Sequence, residues 1–314
     1  MPRDEGFLLE VRLPAGGQAE EAWRGVRRRA ELRFPRLAVE ERPAAAGEGF
    51  SIRIRRPGGQ AVRWDMVPDQ NAEAPFLGLL EAILDPPPSS PLAGLEPLPA
   101  ITLYAARWCS ASSGALGLLG RLAAADPRLS LRVVDAEELS PAERPPALSS
   151  VPWAVLGAGE SRLFGTFTEA EFREALEAYL RGEGPLWSLR HLLSRKLAGE
   201  IRELLEAGVL RPRDLGRLVV FPDLGTRLAA THFLSEEAGR GALDLREAGE
   251  VLAEALLLQD PRDRGDAAYA LGEMGDPRFL KAVEALLHDP DDEVREAAEE
   301  AAERIRGCGP PVTG

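Results

Sequence analysis

Cysteine is nearly absent from this sequence of 314 residues, which contains only Cys109 and Cys308. Two cysteines so far apart do not form the framework of a small disulfide-stapled domain. Histidine is also rare, and His191, His232 and His288 lack the spacing of metal ligands. We therefore expect neither a disulfide scaffold nor a metal site, and we expect no bound cofactor.

Long apolar runs are lacking as well. No segment reaches the roughly 18 apolar residues of a membrane-spanning helix. The first residues, 1–5, do not lead into the apolar core of a secretory signal peptide. These absences predict a protein that does not use the membrane, and they favour a cytoplasmic location. The length predicts two or three domains, each able to bury a core.

Lysine is almost entirely replaced by arginine, since Lys196 and Lys281 are the only lysines. With the frequent alanine, glycine and proline, this preference is typical of a bacterial protein from a GC-rich genome. The net charge of −13 argues against nucleic acid or an anionic membrane as the main partner, because phosphate recognition needs clustered cations. Residues 184–314 hold 17 basic and 25 acidic groups, so most of the excess negative charge lies there. The negative charge of residues 184–314 is interpreted either as a solvated helical surface or as a docking face for a basic protein.

One segment, residues 100–182, organises the rest of the sequence. It begins with a buried-strand pattern and continues, after Trp108 and Cys109, into a helix with one apolar face. Thr168 and Glu171 have the capping-box spacing and predict the start of a last helix. The predicted strands of this segment cover residues 100–104, 129–135, 151–156 and 162–167.

The preceding part of the chain repeats this order of elements without any cysteine. A turn is predicted at Pro57-Gly58-Gly59, between two strands. Residues 85–99 are rich in proline and predict a stiff connector without a long helix. The predicted strands cover residues 6–13, 37–41, 50–55 and 61–66, and the predicted helices cover residues 18–32 and 68–84.

The order strand, helix, strand, hairpin, helix resembles the thioredoxin fold, with Trp108 and Cys109 at the start of the first helix and Val151-Pro152 at the third strand. The segment 60–77 resembles the first thioredoxin-like unit in the N-terminal part of the alkyl hydroperoxide reductase flavoprotein subunit. Tandem protein disulfide oxidoreductases share this plan, in which the first unit is often degenerate. The resemblance implies an α/β thioredoxin-like region of two tandem units, of which the first is degenerate.

The resemblance also assigns roles to individual residues. It makes Cys109 the nucleophile, at a helix N-terminus that favours the reactive thiolate. It implies that Ser112 offers a hydroxyl hydrogen bond to this thiolate. It further implies a cis peptide bond before Pro152, which would shape the backbone edge that receives the substrate. The residues predicted to flank the substrate are Trp108, Val151 and Trp153.

The sequence departs from the thioredoxin pattern at two positions. Ser112 stands where a second cysteine is usual, and Leu103 stands where many thioredoxins bury an acid. Without a local resolving thiol the site cannot close an internal disulfide, although it could form a mixed disulfide with a partner. Cys308 is the only other thiol, and it lies in a C-terminal tail. Trp153 replaces a residue that is commonly small and polar, and its ring would obstruct a substrate.

The C-terminal segment repeats itself. Residues 260–272 resemble residues 289–298, since both begin with Asp-Pro and continue into small residues. This spacing resembles that of short bacterial HEAT repeats, in which helix pairs stack because none can bury its apolar face alone. An all-α HEAT-like domain is therefore predicted over residues 184–314, and such solenoids mostly bind proteins. The predicted helices cover residues 189–207, 222–239, 245–258 and 279–287, and only residues 218–221 show a short strand pattern.

These patterns predict a degenerate thioredoxin-like unit over 1–85, a linker over 86–97, a unit containing Cys109 over 98–183 and the repeats over 184–314. Two functions remain in contention, and both involve protein partners. The first is a monothiol protein that acts in thiol–disulfide exchange or mixed-disulfide capture. The second is a non-catalytic scaffold that binds proteins and has lost redox activity. Iron–sulfur transfer is disfavoured, because monothiol glutaredoxins carry Cys-Gly-Phe-Ser, which this sequence lacks.

Overall fold

The computed structural model describes residues 8–14, 16–45, 47–55, 61–159 and 161–307. It divides the chain into two compact units, Met1–Gly184 and Pro185–Gly314, which are treated separately below. The predicted turn at 57–59 and Cys308 lie outside the described residues.

The first unit is an α/β structure whose elements follow the predicted order. Its strands are β1 (Leu8–Leu13), β2 (Ala38–Pro43), β3 (Ser51–Arg55), β4 (Val62–Asp65), β5 (Ile101–Ala105), β6 (Leu131–Asp135), β7 (Trp153–Leu156) and β8 (Ser161–Phe164). Its helices are α1 (Gln18–Arg33), α2 (Glu73–Leu84), α3 (Ser110–Ala125) and α4 (Glu169–Leu180), with a 3-10 turn at Gln70–Ala72 before α2. As predicted, residues 86–97 contain neither helix nor strand.

The eight strands form one continuous sheet in the order β2-β1-β3-β4-β6-β5-β7-β8. The same arrangement occurs twice, because in each half the first strand lies between a parallel second strand and an antiparallel third strand. This is the thioredoxin-like order. The halves meet where β4 pairs in parallel with β6. The predicted units 1–85 and 98–183 thus share a sheet, and their boundaries stay a prediction.

All four helices of this unit lie on the same face of the sheet. Trp23 of α1 and Trp64 of β4 both pack on Phe76 of α2, with ring centroids 6.4 and 5.3 Å away. At the other end of the sheet, the Ser161 hydroxyl of β8 donates to the Ala175 carbonyl of α4 over 3.3 Å. Burial of these large side chains, each contributing about 1.5–3 kcal/mol, accounts for much of the core. Among the described residues, the opposite face of the sheet carries no helix of this unit.

The second unit contains helices joined by short turns, and no strand occurs among its described residues. Its helices are α5 (Gly184–Ser194), α6 (Ala198–Glu206), α7 (Pro212–Val219), α8 (Leu224–Arg240), α9 (Arg246–Ala255), α10 (Pro261–Met274), α11 (Leu280–Ala285) and α12 (Asp292–Gly307). The short strand predicted at 218–221 was wrong, because Leu218 and Val219 are the last residues of α7, where their side chains are buried. A run of only four apolar residues fits a buried strand and a buried helix segment equally well, so the pattern could not distinguish them.

The single helix predicted over 189–207 is two helices. Lys196 has a left-handed φ of 58°, which ends α5. The N–H groups of Lys196 and Leu197 donate back to the carbonyls of Leu193 and Leu192, over 3.0 and 3.1 Å. This closure satisfies carbonyls at the end of the helix, as in a Schellman motif. Glycine usually occupies this position, so no residue type at this point of the sequence signals the break.

Alpha-helix α10 contains two glycines in opposite environments. A Cβ added at Gly272 would lie 2.7 Å from both Cα and Cβ of Ala301 in α12, whereas one at Gly265 would meet nothing within 4 Å. The close packing of α10 on α12 thus depends on Gly272.

We expect these two glycines to respond to alanine with opposite signs. Gly265→Ala should raise the free energy of unfolding by up to about 1 kcal/mol, because alanine favours the helix. Gly272→Ala should lower it by roughly 1–3 kcal/mol, because overpacking separates the two helices. Urea denaturation of both variants measures the difference. Equal stabilisation by both substitutions would contradict the close contact with Ala301.

Candidate functional site

Cys109 lies in the loop that connects β5 to α3, at the N-cap position of that helix. Its side chain is half-buried, and its thiol donates to the Val151 carbonyl across 3.6 Å. The peptide bond between Val151 and Pro152 is cis. The two segments singled out from the sequence, separated by about forty residues, are therefore brought together at one end of the sheet.

The chain beside the cysteine presents a partly open backbone edge. Pro152 is buried, and its carbonyl accepts a hydrogen bond from the Gly165 N–H over 2.9 Å. Val151 is half-buried, and its backbone N–H has no hydrogen-bond partner among the described residues. A backbone donor without a partner near the surface can pair with an incoming extended chain. Val151 thus offers this donor next to Cys109.

The hydrogen bond that Ser112 makes here is with the backbone of the loop. Its side chain is fully buried, and its Oγ accepts from the Ala106 N–H over 3.3 Å. The serine therefore fastens the loop that carries Cys109 onto the first turn of α3. No hydrogen bond between Ser112 and Cys109 is found among the described residues. The hydroxyl satisfies a buried backbone donor, which would otherwise be costly.

The two tryptophans predicted beside the site have different environments. Trp108 is 62 % exposed, next to Cys109, and can contact a docked chain. Trp153 is fully buried, so the prediction that it forms a lip at the site was wrong. It stacks on Phe164 and contacts Tyr104, with ring centroids 5.0 and 5.7 Å away. Side chains alternate along a strand, and Trp153 of β7 points to the face of the sheet opposite α3.

An arginine that the sequence analysis overlooked anchors the cysteine loop. Arg107 Nε donates to the buried Asp135 over 3.1 Å, and the guanidinium also lies 3.6 Å from Asp69 and 3.7 Å from Glu138. The Arg107 carbonyl accepts from the Asn71 N–H over 3.1 Å. Asp69 and Asn71 belong to the first half of the sheet unit. The half without a cysteine therefore helps to position the loop of the half that has one.

The buried carboxyl in this cluster is electrostatically perturbed. Burial raises the pKa of Asp135, although the backbone N–H of Glu137 and the charge of Arg107 oppose the rise. One sequence signal could have revealed the ion pair between Arg107 and Asp135. Asp135 is the last residue of β6, and Arg107 follows shortly after Ala105, which is the last residue of the neighbouring parallel strand β5 and lies opposite Asp135. The carboxyl ends of parallel strands meet at one edge of a sheet. Leu103, predicted to replace a buried acid, is indeed a fully buried apolar residue.

The described residues contain no group of three or more side chains suited to hold a metal ion. Among the same residues, no helix combines the length and apolar character that crossing a bilayer requires. Arg107, Asp69, Asp135 and Glu138 form an ion-pair cluster, and Cys109 is the one nucleophilic thiol in the part of the chain that the structure describes.

Comparison with known proteins identifies the helical repeats directly. Residues 226–303 match the family described as HEAT repeats. The curated proteins give no match to this chain.

Similar solved structures cover the sheet unit. The alkylhydroperoxide reductase AhpF from Enterococcus faecalis, in a mutant form, is 16% identical and covers 55% of this chain and 91% of its own, with a TM-score of 0.46. The NTD_N/C domain of the same reductase is 15% identical, covers 55% and 90%, and has a TM-score of 0.45. Sso1120 from Sulfolobus solfataricus is 15% identical, covers 49% and 87%, and has a TM-score of 0.36. The chain is a thioredoxin-like α/β unit, defined by its own strand order, followed by helices that include HEAT repeats.

Proposed function

We propose that this protein captures partner proteins through a mixed disulfide at Cys109. The observation that carries the proposal is the position of this thiol. It lies at the N-terminus of α3, 3.6 Å from the Val151 carbonyl, beside the open backbone N–H of Val151 and an exposed Trp108. A helix N-terminus favours thiolate, which is the nucleophilic form of cysteine. Trp108 supplies an apolar surface for the chain on either side of the partner's sulfur.

The proposed exchange begins when the Cys109 thiolate attacks one sulfur of a disulfide in the partner. The bond between Cys109 and that sulfur forms while the partner's own disulfide breaks, and the other sulfur leaves as a thiolate that takes a proton from water. A small cellular thiol such as glutathione then attacks the partner's sulfur. Cys109 leaves as thiolate, and the mixed disulfide passes to the small thiol. Without a neighbouring cysteine, the captured complex persists until that thiol arrives.

The helical unit has a second role in this proposal. HEAT-type solenoids present extended surfaces to proteins, and the helices here would hold a partner while the thiol reacts. Cytoplasmic location fits this scheme, because small thiols that release the partner are abundant there.

A specific observation favours the alternative, a scaffold without redox chemistry. The Ser112 Oγ accepts from the Ala106 N–H, no hydrogen bond between Ser112 and the sulfur is found among the described residues, and Leu103 leaves no acid at its buried position. In that function Cys109 would be a relic, and both units would only bind proteins.

Alkylation of the folded protein distinguishes the two functions. The two cysteines of the chain provide the comparison, since Cys308→Ser leaves Cys109 as the single thiol and Cys109→Ser leaves Cys308. We expect iodoacetamide to modify Cys109 at least about tenfold faster than Cys308 near neutral pH, because reactive cysteines are typically found at helix N-termini. Mass spectrometry measures both rates as a function of pH.

Oxidised glutathione provides a second measurement on the same variants. The Cys308→Ser protein should form a mixed disulfide that dithiothreitol reverses, and the Cys109→Ser protein should form little. If Cys109 reacts no faster than Cys308 with both reagents, the redox proposal fails and the scaffold function stands.

A further inference from the structure

The face of the sheet opposite the four helices carries a row of arginines in the first unit. Arg53 of β3 lies directly opposite Arg63 of β4, and Arg63 lies opposite Arg132 of β6. Neighbouring strands are about 4.8 Å apart, so these three side chains stand side by side across three strands. All three are exposed. They point away from the helices, since Ile52, Trp64 and Val133, their neighbours along the strands, are buried in the core.

Such a row is unfavourable for folding by itself. Like charges placed directly opposite each other on neighbouring strands are destabilising. Asp65 offsets part of the repulsion, because its two carboxylate oxygens accept from Arg63 over 2.7 Å and from Arg132 over 2.8 Å. Arg53 has no such partner among the described residues. Glu10 is opposite Arg53 in the register, but its carboxylate pairs with Arg55 at 2.7 Å.

The surroundings extend this positive character. Across the face the arginines outnumber the carboxylates, in a protein whose net charge is −13. Each guanidinium that has a carboxylate partner here is still at least half exposed, so it retains N–H groups that a ligand can reach. The arginines of the face are Arg12, Arg42, Arg53, Arg55, Arg63 and Arg132, and the carboxylates on it or near it are Glu10, Glu40, Glu48, Asp65 and Glu143.

We propose that this face, termed the arginine row after Arg53, Arg63 and Arg132, binds an acidic, extended segment of a partner protein. Guanidinium groups bind carboxylates through paired hydrogen bonds, which a fixed row can repeat along a chain. In an extended peptide, alternate side chains lie on one side about 6.6–7 Å apart, within reach of arginines on neighbouring strands. The strongly negative remainder of the molecule disfavours long polyanions such as nucleic acid, whereas a short acidic segment contacts only this face.

A fluorescein-labelled peptide of alternating glutamate and threonine is the probe, and fluorescence anisotropy with the full-length protein is the readout. We expect binding at low salt that weakens as salt screens the charges. Arg53→Gln should weaken binding by roughly tenfold, the loss expected for a hydrogen bond to a charged group. The matched control is Arg28→Gln, which removes an equally exposed charge from α1 on the other side of the sheet. That control should change the affinity by less than about twofold.

Arg53 is exposed and lacks an ion-pair partner among the described residues, so its loss should leave folding intact, and circular dichroism of both variants verifies this. Equal effects of the two substitutions would overturn the proposal, as would equal binding of a peptide with glutamine in place of glutamate. Failure of the probe to bind at low salt, or tighter binding of single-stranded oligothymidylate, would also overturn it. If Arg53→Gln instead dissociates an oligomer of the wild-type protein, the occupant of the face is a second copy and the proposal is wrong.

Discussion

Replacing Ser112 with cysteine is expected to give this protein an internal disulfide and disulfide-reductase activity. Residues three apart in a helix have Cβ atoms about 5–6 Å apart, whereas a disulfide needs Cβ atoms about 3.5–4.5 Å apart, so the two residues must move roughly 1–2 Å closer. Cys109 is the N-cap of α3 and Ser112 lies in its first turn. A small rotation of the cap brings the two sulfurs together. The second thiol would then release captured partners without help from a small thiol.

The expected gain is large because an intramolecular thiol acts at a very high effective concentration. In the Cys308→Ser background, Ser112→Cys should reduce insulin at least about tenfold faster than its parent. The control is Ser112→Ala, which loses the acceptor for the Ala106 N–H without adding a thiol. If Ser112→Cys forms no disulfide under oxidising conditions and gains no activity, the cysteine loop does not have the geometry of a redox site.

The second large effect concerns Trp153. Trp153→Ala should lower the free energy of unfolding by about 3–5 kcal/mol, the usual cost of deleting a buried tryptophan ring. The ring is fully buried, stacks on Phe164 and lies under the Arg162 guanidinium, 5.4 Å from its carbon. Thermal and urea denaturation measure this loss, which arises on the face of the sheet away from Cys109.

Trp108→Ala is the matched control, because its ring is 62 % exposed. Truncation of an exposed side chain usually changes stability by less than about 0.5 kcal/mol. We expect this variant to remain stable and to capture large partners less well than wild type, whereas iodoacetamide should still modify its Cys109. Similar stability losses for both tryptophan variants would contradict the assignment of one ring to the core and the other to the site.

The local elements were largely predictable because their signals lie within a few residues of each other. Thr168 and Glu171 predicted a capping box, and the structure contains both of its hydrogen bonds, of 3.2 and 2.8 Å. The alternation of Ile52 and Ile54 with polar residues predicted a half-buried strand, which is β3. The helix break at Lys196 escaped prediction, because lysine is not a residue type that signals a helix end. Its left-handed conformation is held by the backbone hydrogen bonds that close the helix.

The sequence by itself determined the order of strands and helices in the first unit, the place of Cys109 at a helix start and the repeats near the C-terminus. Each of these depends on periodicity, capping or spacing along the chain. Only the tertiary structure decided that Trp153 is buried, that Arg107 joins Asp69 to Asp135, and that Arg53, Arg63 and Arg132 stand in one row. These depend on which strands become neighbours and in what register. Register arises from contacts between residues far apart in sequence, so no local pattern specifies it.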